Sequence, residues 1–211
     1  FRSEGYGQDM DKMAERFVPT EIAADVSRLA PADRQVLAKL VQASKIMDAL
    51  FMRQVWAGNE AMLLGLLRDE TPEGRARLHY FLINKGPWSR LDGNKVFVPG
   101  APPKPEGANF YPADAAKADI ERWIASLATP ERARANGFFT VVRQTGQTFT
   151  LVPYNVEYQN ELAEAAALVR EAAALASEPT LKTFLTKRAD AFLSNDYYDS
   201  DVAWMDLKGT I

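Results

Sequence analysis

The strongest constraint on the fold is an apolar period that begins just after Pro31. Val36, Leu37, Leu40, Val41, Ser44, Met47, Leu50, Phe51 and Val55 recur at three- and four-residue steps. That spacing places them along one side of a helix, so a helix is expected to run from Pro31 to about Trp56. Pro31 suits its first turn, where the missing N–H leaves no intrahelical bond unmade. Gly58-Asn59 punctuates the pattern, and Met62 to Leu67 and Leu78 to Leu82 supply two further helical segments. Ahead of the long helix, a short one is expected around Met10 to Arg16, followed by a connector broken at Pro19 and Pro31.

The stretch from Asn84 to Pro112 has another character. Gly86-Pro87, Asp92-Gly93, Pro99-Gly100, Pro102-Pro103, Pro105 and Gly107 break any regular period. Trp88, Phe97, Phe110 and Tyr111 argue for order, since disordered linkers are poor in aromatics. An irregular but ordered loop over 85–112 is expected, and loops of that length inside compact domains are often functional.

Asp114 offers an N-cap for a helix carrying Ile120, Trp123, Ile124 and Leu127. A short helical turn, Thr129 to Ala135, should stop at Asn136-Gly137. Phe138 to Arg143 and Thr148 to Val152 are rich in β-branched and aromatic residues and flank Gly146, which predicts a β-hairpin over 138–152. Two strands alone are marginal, so the hairpin needs strands from elsewhere or a helix to pack on. An Ala-rich helix from about Val156 to Ala176 and another from Glu178-Pro179 to about Leu193 follow. The acidic and aromatic segment Asn195 to Leu207 has no assigned regular structure. The fold class is therefore mainly α (α+β): multi-helical, with one β-hairpin and a long ordered Pro/Gly/aromatic loop.

Composition narrows the function. A net charge of −3 with no long basic tract argues against a nucleic-acid partner, because phosphate binding needs clustered Lys and Arg. The most apolar run, Ala61 to Leu67, is far short of the roughly 20 residues that span a bilayer. The absence of cysteine removes disulfides, thiolate catalysis and Cys-ligated zinc, and leaves the compartment open: cytoplasmic, or periplasmic if a signal peptide preceded Phe1.

Most catalytic constellations fail on inventory. A H-E-x-x-H zinc helix needs two histidines, and the chain has His79 alone. There is no G-x-S-x-G nucleophile elbow and no G-x-x-x-x-G-K-[ST] phosphate loop. His79 is expected to be a partly buried, hydrogen-bonded helix histidine. Asp196, Asp199, Asp201 and Asp206 lack the alternation and central glycine of a calcium loop, and read as caps and solvated charges. Tyr197, Tyr198 and Trp204 read as core or interface anchors, and the six methionines as core fillers.

Exact wording carries more than periodicity at a few places. Lys85 to Gly93 reads KGPWSRLDG, Gly107 to Asp114 reads GANFYPAD, and Arg188 to Leu207 reads RADAFLSNDYYDSDVAWMDL. With VQASKIMDALFMRQV (Val41 to Val55) and LVPYNVEY (Leu151 to Tyr158), this order resembles the amino-terminal region of shorter bacterial members of the dipeptidyl peptidase III family. The resemblance implies a two-lobed zinc exopeptidase that releases dipeptides from short peptides. It implies a H-E-x-x-G-H metal helix in the catalytic lobe, where zinc activates water. That helix is not in this sequence, so no catalytic or metal residue carries over, and zinc is expected in the longer protein with none bound by this chain.

By the same resemblance, Asp201, Trp204 and Asp206 lead toward the cleft and are candidates to lie near substrate, with Asn109 and Tyr111 as a second choice. Relatives of the family are sometimes fused to, or named after, nudix hydrolases, but the R-E-x-x-E-E helix of that chemistry is missing here. The chain is expected to be the non-catalytic amino-terminal part of a longer peptidase, its partners being its own catalytic lobe and peptide substrates. Its close at Lys208-Gly209-Thr210-Ile211, without capping or tail-like composition, fits that expectation. An apolar face meant for the missing lobe should make the isolated chain self-associate. The competing expectation is a non-catalytic helical binding or interaction module.

Overall fold

The computed structural model describes residues 9–208. The start at Phe1 and the close at Gly209-Thr210-Ile211 lie outside them. The described residues fall into two units, one comprising those up to Ala23 together with Phe51–Ala113, the other Ala24–Leu50 together with those from Asp114 onward. Mainly α architecture is the outcome, with two small antiparallel strand pairs instead of the single hairpin that the sequence suggests.

In the first unit, α1 (Met10–Ala14) packs on α4 (Pro72–Asn84), and α3 (Asn59–Leu67) packs on α4 as well. Thr71 caps α4 by accepting a hydrogen bond from the Gly74 N–H at 3.0 Å, with Pro72 at the first helical position. Met10, Met52, Leu66, Tyr80, Phe81, Phe97 and Val98 close the core. The Pro/Gly/aromatic loop is ordered, and part of it is regular. Trp88–Ser89 (β1) pairs with Lys95–Val96 (β2) around a 3-10 turn at Arg90–Asp92. Trp88 anchors it: its indole N–H donates to the Pro102 carbonyl at 2.8 Å, and its ring meets Trp56 edge-on at 5.5 Å.

The second unit is built on α8 (Gln159–Leu175) and α9 (Pro179–Ser194), joined by Glu178, whose carboxylate accepts from the Leu181 N–H and caps α9. Ala166, Ala172 and Ala189 are fully buried between them, so the small side chains let the two backbones approach closely. Val36 and Ala43, on the Leu50 side of α2 (Pro31–Val55), belong to the same core. The α2 boundaries match the apolar period within a residue.

Three local expectations need correction. Asp114 caps nothing: α5 (Lys117–Ser126) starts after Ala116, without a side-chain cap. The helix expected from Val156 is interrupted at Tyr158 (φ −116°, ψ 32°), separating α7 (Tyr154–Glu157) from α8. The segment Asn195 to Leu207 contains α10 (Tyr198–Met205), entered through Asn195, whose left-handed backbone (φ 64°) ends α9. Its short length and aromatic content hide the helix from periodicity alone.

The hairpin itself forms as β3 (Thr140–Thr145) and β4 (Thr148–Pro153), with Thr145 opposite Thr148. Gly146 takes φ +61° in the two-residue loop, which a side chain would strain. Val141 and Val142 point to opposite faces yet both are buried, so the hairpin is covered on both sides there. α6 (Thr129–Ala135) and α7 both pack against β3, and the Arg143–Glu157 ion pair at 2.6 Å ties β3 to α7. Among the described residues, no helix is long and apolar enough to cross a membrane.

Candidate functional site

Asp201 lies in the first turn of α10, Trp204 in its last turn, and Asp206 is its C-cap. They do not share one face. Asp201 and Asp206 are five positions apart, about 140° round a helix, so the two carboxylates diverge. Asp201 is committed to Arg188 of α9, whose guanidinium donates to it at 2.6 Å. The same guanidinium lies 5.5 Å above the rings of Phe184 and Tyr197, which hold it in place. Burial pushes the Tyr197 hydroxyl above its ordinary pKa, with Arg188 opposing and Asp201 adding to that shift. Asp206 is the C-cap of α10 and is exposed. Trp204 is 61% exposed, which fits an interface anchor and not a core one. Asp196 accepts from the Tyr198 N–H at 3.2 Å in a local turn ahead of α10, whose N-cap is Tyr197 without a side-chain cap.

Asn109 and Tyr111 lie in the other unit. Asn109 stitches the loop to the end of α2: its side-chain amide donates to the Arg53 carbonyl at 2.9 Å and its backbone N–H to the Gln54 carbonyl at 2.8 Å. Tyr111 lies close over Gly107, where an added Cβ would stand 2.9 Å from the ring. Both side chains thus have local structural work on the loop.

His79 is exposed on α4, not partly buried as the sequence suggests. It lines a shallow groove beside α1 with Asp11, Glu15, Phe17, Val18 and Ile83. Sequence reading also missed a polar chain in this unit. The Tyr80 and Ser89 hydroxyls are 2.7 Å apart, Ser89 donates to Asp92 at 2.5 Å, and Arg16 donates to both Asp92 oxygens at 2.9 and 3.0 Å. The only sequence signal was Ser89 three residues before Asp92 on a turn. These bonds hold the Asp92 carboxyl below the usual range, Arg16 contributing most and Ser89 next.

The donor set does not fit zinc. The chain has one imidazole and no thiol, and no three His, Cys, Asp or Glu side chains converge among the described residues.

By fold, then, the chain is a mainly helical two-unit module whose helix α10 carries a divergent pair of acidic residues, one in its first turn and one at its C-cap. It is similar over nearly all its length to dipeptidyl-peptidase III. The dipeptidyl-peptidase III structure from Corallococcus sp. strain EGB superposes with a TM-score of 0.92 at 56% identity, covering 95% of this chain and 37% of that one. The DPP III structure from Caldithrix abyssi does so with 0.89 at 41% identity, covering 95% and 38%. A curated relative from Arabidopsis thaliana, named Nudix hydrolase 3, is 32% identical over 256 residues, covering 97% of this chain and 33% of its own length. No family model matches the chain. The chain therefore spans between a third and two fifths of the proteins it resembles.

Proposed function

We propose that this chain is the amino-terminal, non-catalytic part of a zinc-dependent exopeptidase that releases dipeptides from short peptides. The observation that carries the reading is the 56% identity with dipeptidyl-peptidase III held at a TM-score of 0.92 over 95% of the chain. Zinc and its ligands in this reading belong to polypeptide beyond this sequence, which does not contain the H-E-x-x-G-H helix. In this reading Trp204 and Asp206, both exposed, are the candidates to approach peptide, and Asp201 is held by Arg188. Asn109 and Tyr111 act chiefly by shaping the 85–112 loop. The nudix name of the plant relative supports no activity for this chain, whose sequence has no glutamate-rich metal helix of that type.

The test sets the full-length gene product beside this chain, with a dipeptidyl-arylamide substrate and a zinc assay. The expected result is an active, zinc-loaded long protein and an inert, zinc-free short one. Dipeptide release by the short chain alone would overturn the non-catalytic assignment. Two inert, metal-free proteins would favour a helical interaction module that keeps the fold without the chemistry.

A further inference from the structure

α10 is built inside out. Its buried positions are Ser200 and Ala203, at 1% and 5% exposure, whereas Tyr198 and Met205 are 75% and 79% exposed and Val202 is 40% exposed. Residues on a helix turn by about 100° each, so Tyr198, Val202 and Met205 form one stripe opposite Ser200 and Ala203. A surface helix normally does the reverse and keeps its large apolar side inward. Single exposed apolar residues are ordinary, but these are concentrated. Among the described residues of this unit, the only large apolar side chain more exposed than Met205 is Phe138, at 84%. Phe138 adjoins Phe139, whose ring stacks at 4.5 Å on Tyr197, the residue that leads into α10.

We infer that the Tyr198–Val202–Met205 stripe of α10 is a docking surface, covered in cis by the remainder of a longer polypeptide. This rests on the reading above that the chain is part of a longer protein. Spacing of i, i+4 and i+7 is that of helix anchors seated in an apolar groove, and methionine adapts its shape to such a seat. The solved chains that share this fold are matched over only 37% and 38% of their lengths, so most of each lies outside the matched region and is available to cover the stripe. A covalently attached segment meets the stripe at high effective concentration, whereas a second copy must arrive by diffusion. Chemistry narrows the seat further. Asp201, on one side of the stripe, is already paired with Arg188, whereas Asp199 flanks the other side exposed. The covering surface is therefore apolar at its centre with Lys or Arg along the Asp199 edge.

The test is hydroxyl-radical footprinting of the full-length gene product, with molar mass from light scattering and dipeptide release measured on the same sample. Oxidation follows exposure, so Met205 should react within about twofold of Met52, which is only 7% exposed. In the Met205→Glu variant of the same protein, Tyr198 labelling should rise about tenfold as the seat opens. Met205 reacting about tenfold faster than Met52 in the unaltered protein would overturn the proposal. Protection that disappears as a dimer dissociates on dilution would also overturn it, because a second copy would then be the cover. Dipeptide release with Met205 reactive leaves the proposed function standing and removes the docking surface. Met205 protected in a monomer without peptidase activity does the opposite.

Discussion

At the scale of single residues, the most consequential polar group is Ser89. It is fully buried between the Tyr80 hydroxyl and the Asp92 carboxylate, to which Arg16, just past the end of α1, donates. Asp92 titrates below its ordinary value in the folded chain, so the unfolded chain binds the proton more tightly. The stability this linkage supplies is complete above about pH 4 and is lost as pH falls through the depressed folded value. Urea denaturation across the acid range should show stability falling as the buffer passes below about pH 4. The Asp92→Asn variant should show a shallower acid limb, because one of several depressed carboxylates has been removed. An identical limb would mean that the Arg16–Asp92 pair does not survive in solution. The sequence shows Ser89 and Asp92 three positions apart, but Tyr80 and Arg16 join them only through folding. His79 errs the other way: its place on α4 was legible, its exposure was not, because exposure depends on what α1 leaves uncovered.

At the scale of elements, close packing between α8 and α9 follows from alanine. Ala189 is fully buried in that core, with Leu181 and Leu185 on the same helix. Ala189→Leu should destabilise by about 1–3 kcal/mol, since the added methylenes have no void to enter. A urea titration with an unchanged slope and a lower midpoint would report it. A midpoint equal to that of the unaltered chain would show that the interface has room. α2 was legible from its apolar spacing and Pro31, α6 from its stop at Asn136-Gly137, and α9 from Glu178-Pro179 at its start. The break at Tyr158 and helix α10 were not. Tyr158 comes just before the Ala-rich run that begins at Glu161 and hides the break, and α10 turns its aromatics outward, so it lacks the amphipathic signal that a surface helix should give.

At the scale of the molecule, the outward apolar side chains of α10, together with Phe138 before β3, leave the isolated chain with surface that water solvates poorly. The isolated chain should therefore self-associate. Light scattering coupled to size exclusion should show a mass that rises with concentration, and the Tyr198→Glu, Met205→Glu double variant should be closer to monomeric at equal loading. A strict monomer at high concentration in the unaltered chain would remove this expectation. The same surface explains why the match to solved dipeptidyl-peptidase III structures, near complete for this chain and partial for theirs, matters physically: a helix with its apolar side outward is intelligible as part of something larger.

The sequence by itself determined the mainly α class, the long helix from Pro31, the hairpin around Gly146, and an inventory of one histidine and no cysteine. Each depends on short-range spacing or simple inventory, which the chain carries locally. Only the tertiary structure decided that Asp201 is spoken for by Arg188 and that Asn109 is a stitch to α2. It also decided that β1 and β2 organise the aromatic loop and that the stripe on α10 faces solvent. Those outcomes depend on which distant residues arrive beside them, and spacing along the chain does not encode that.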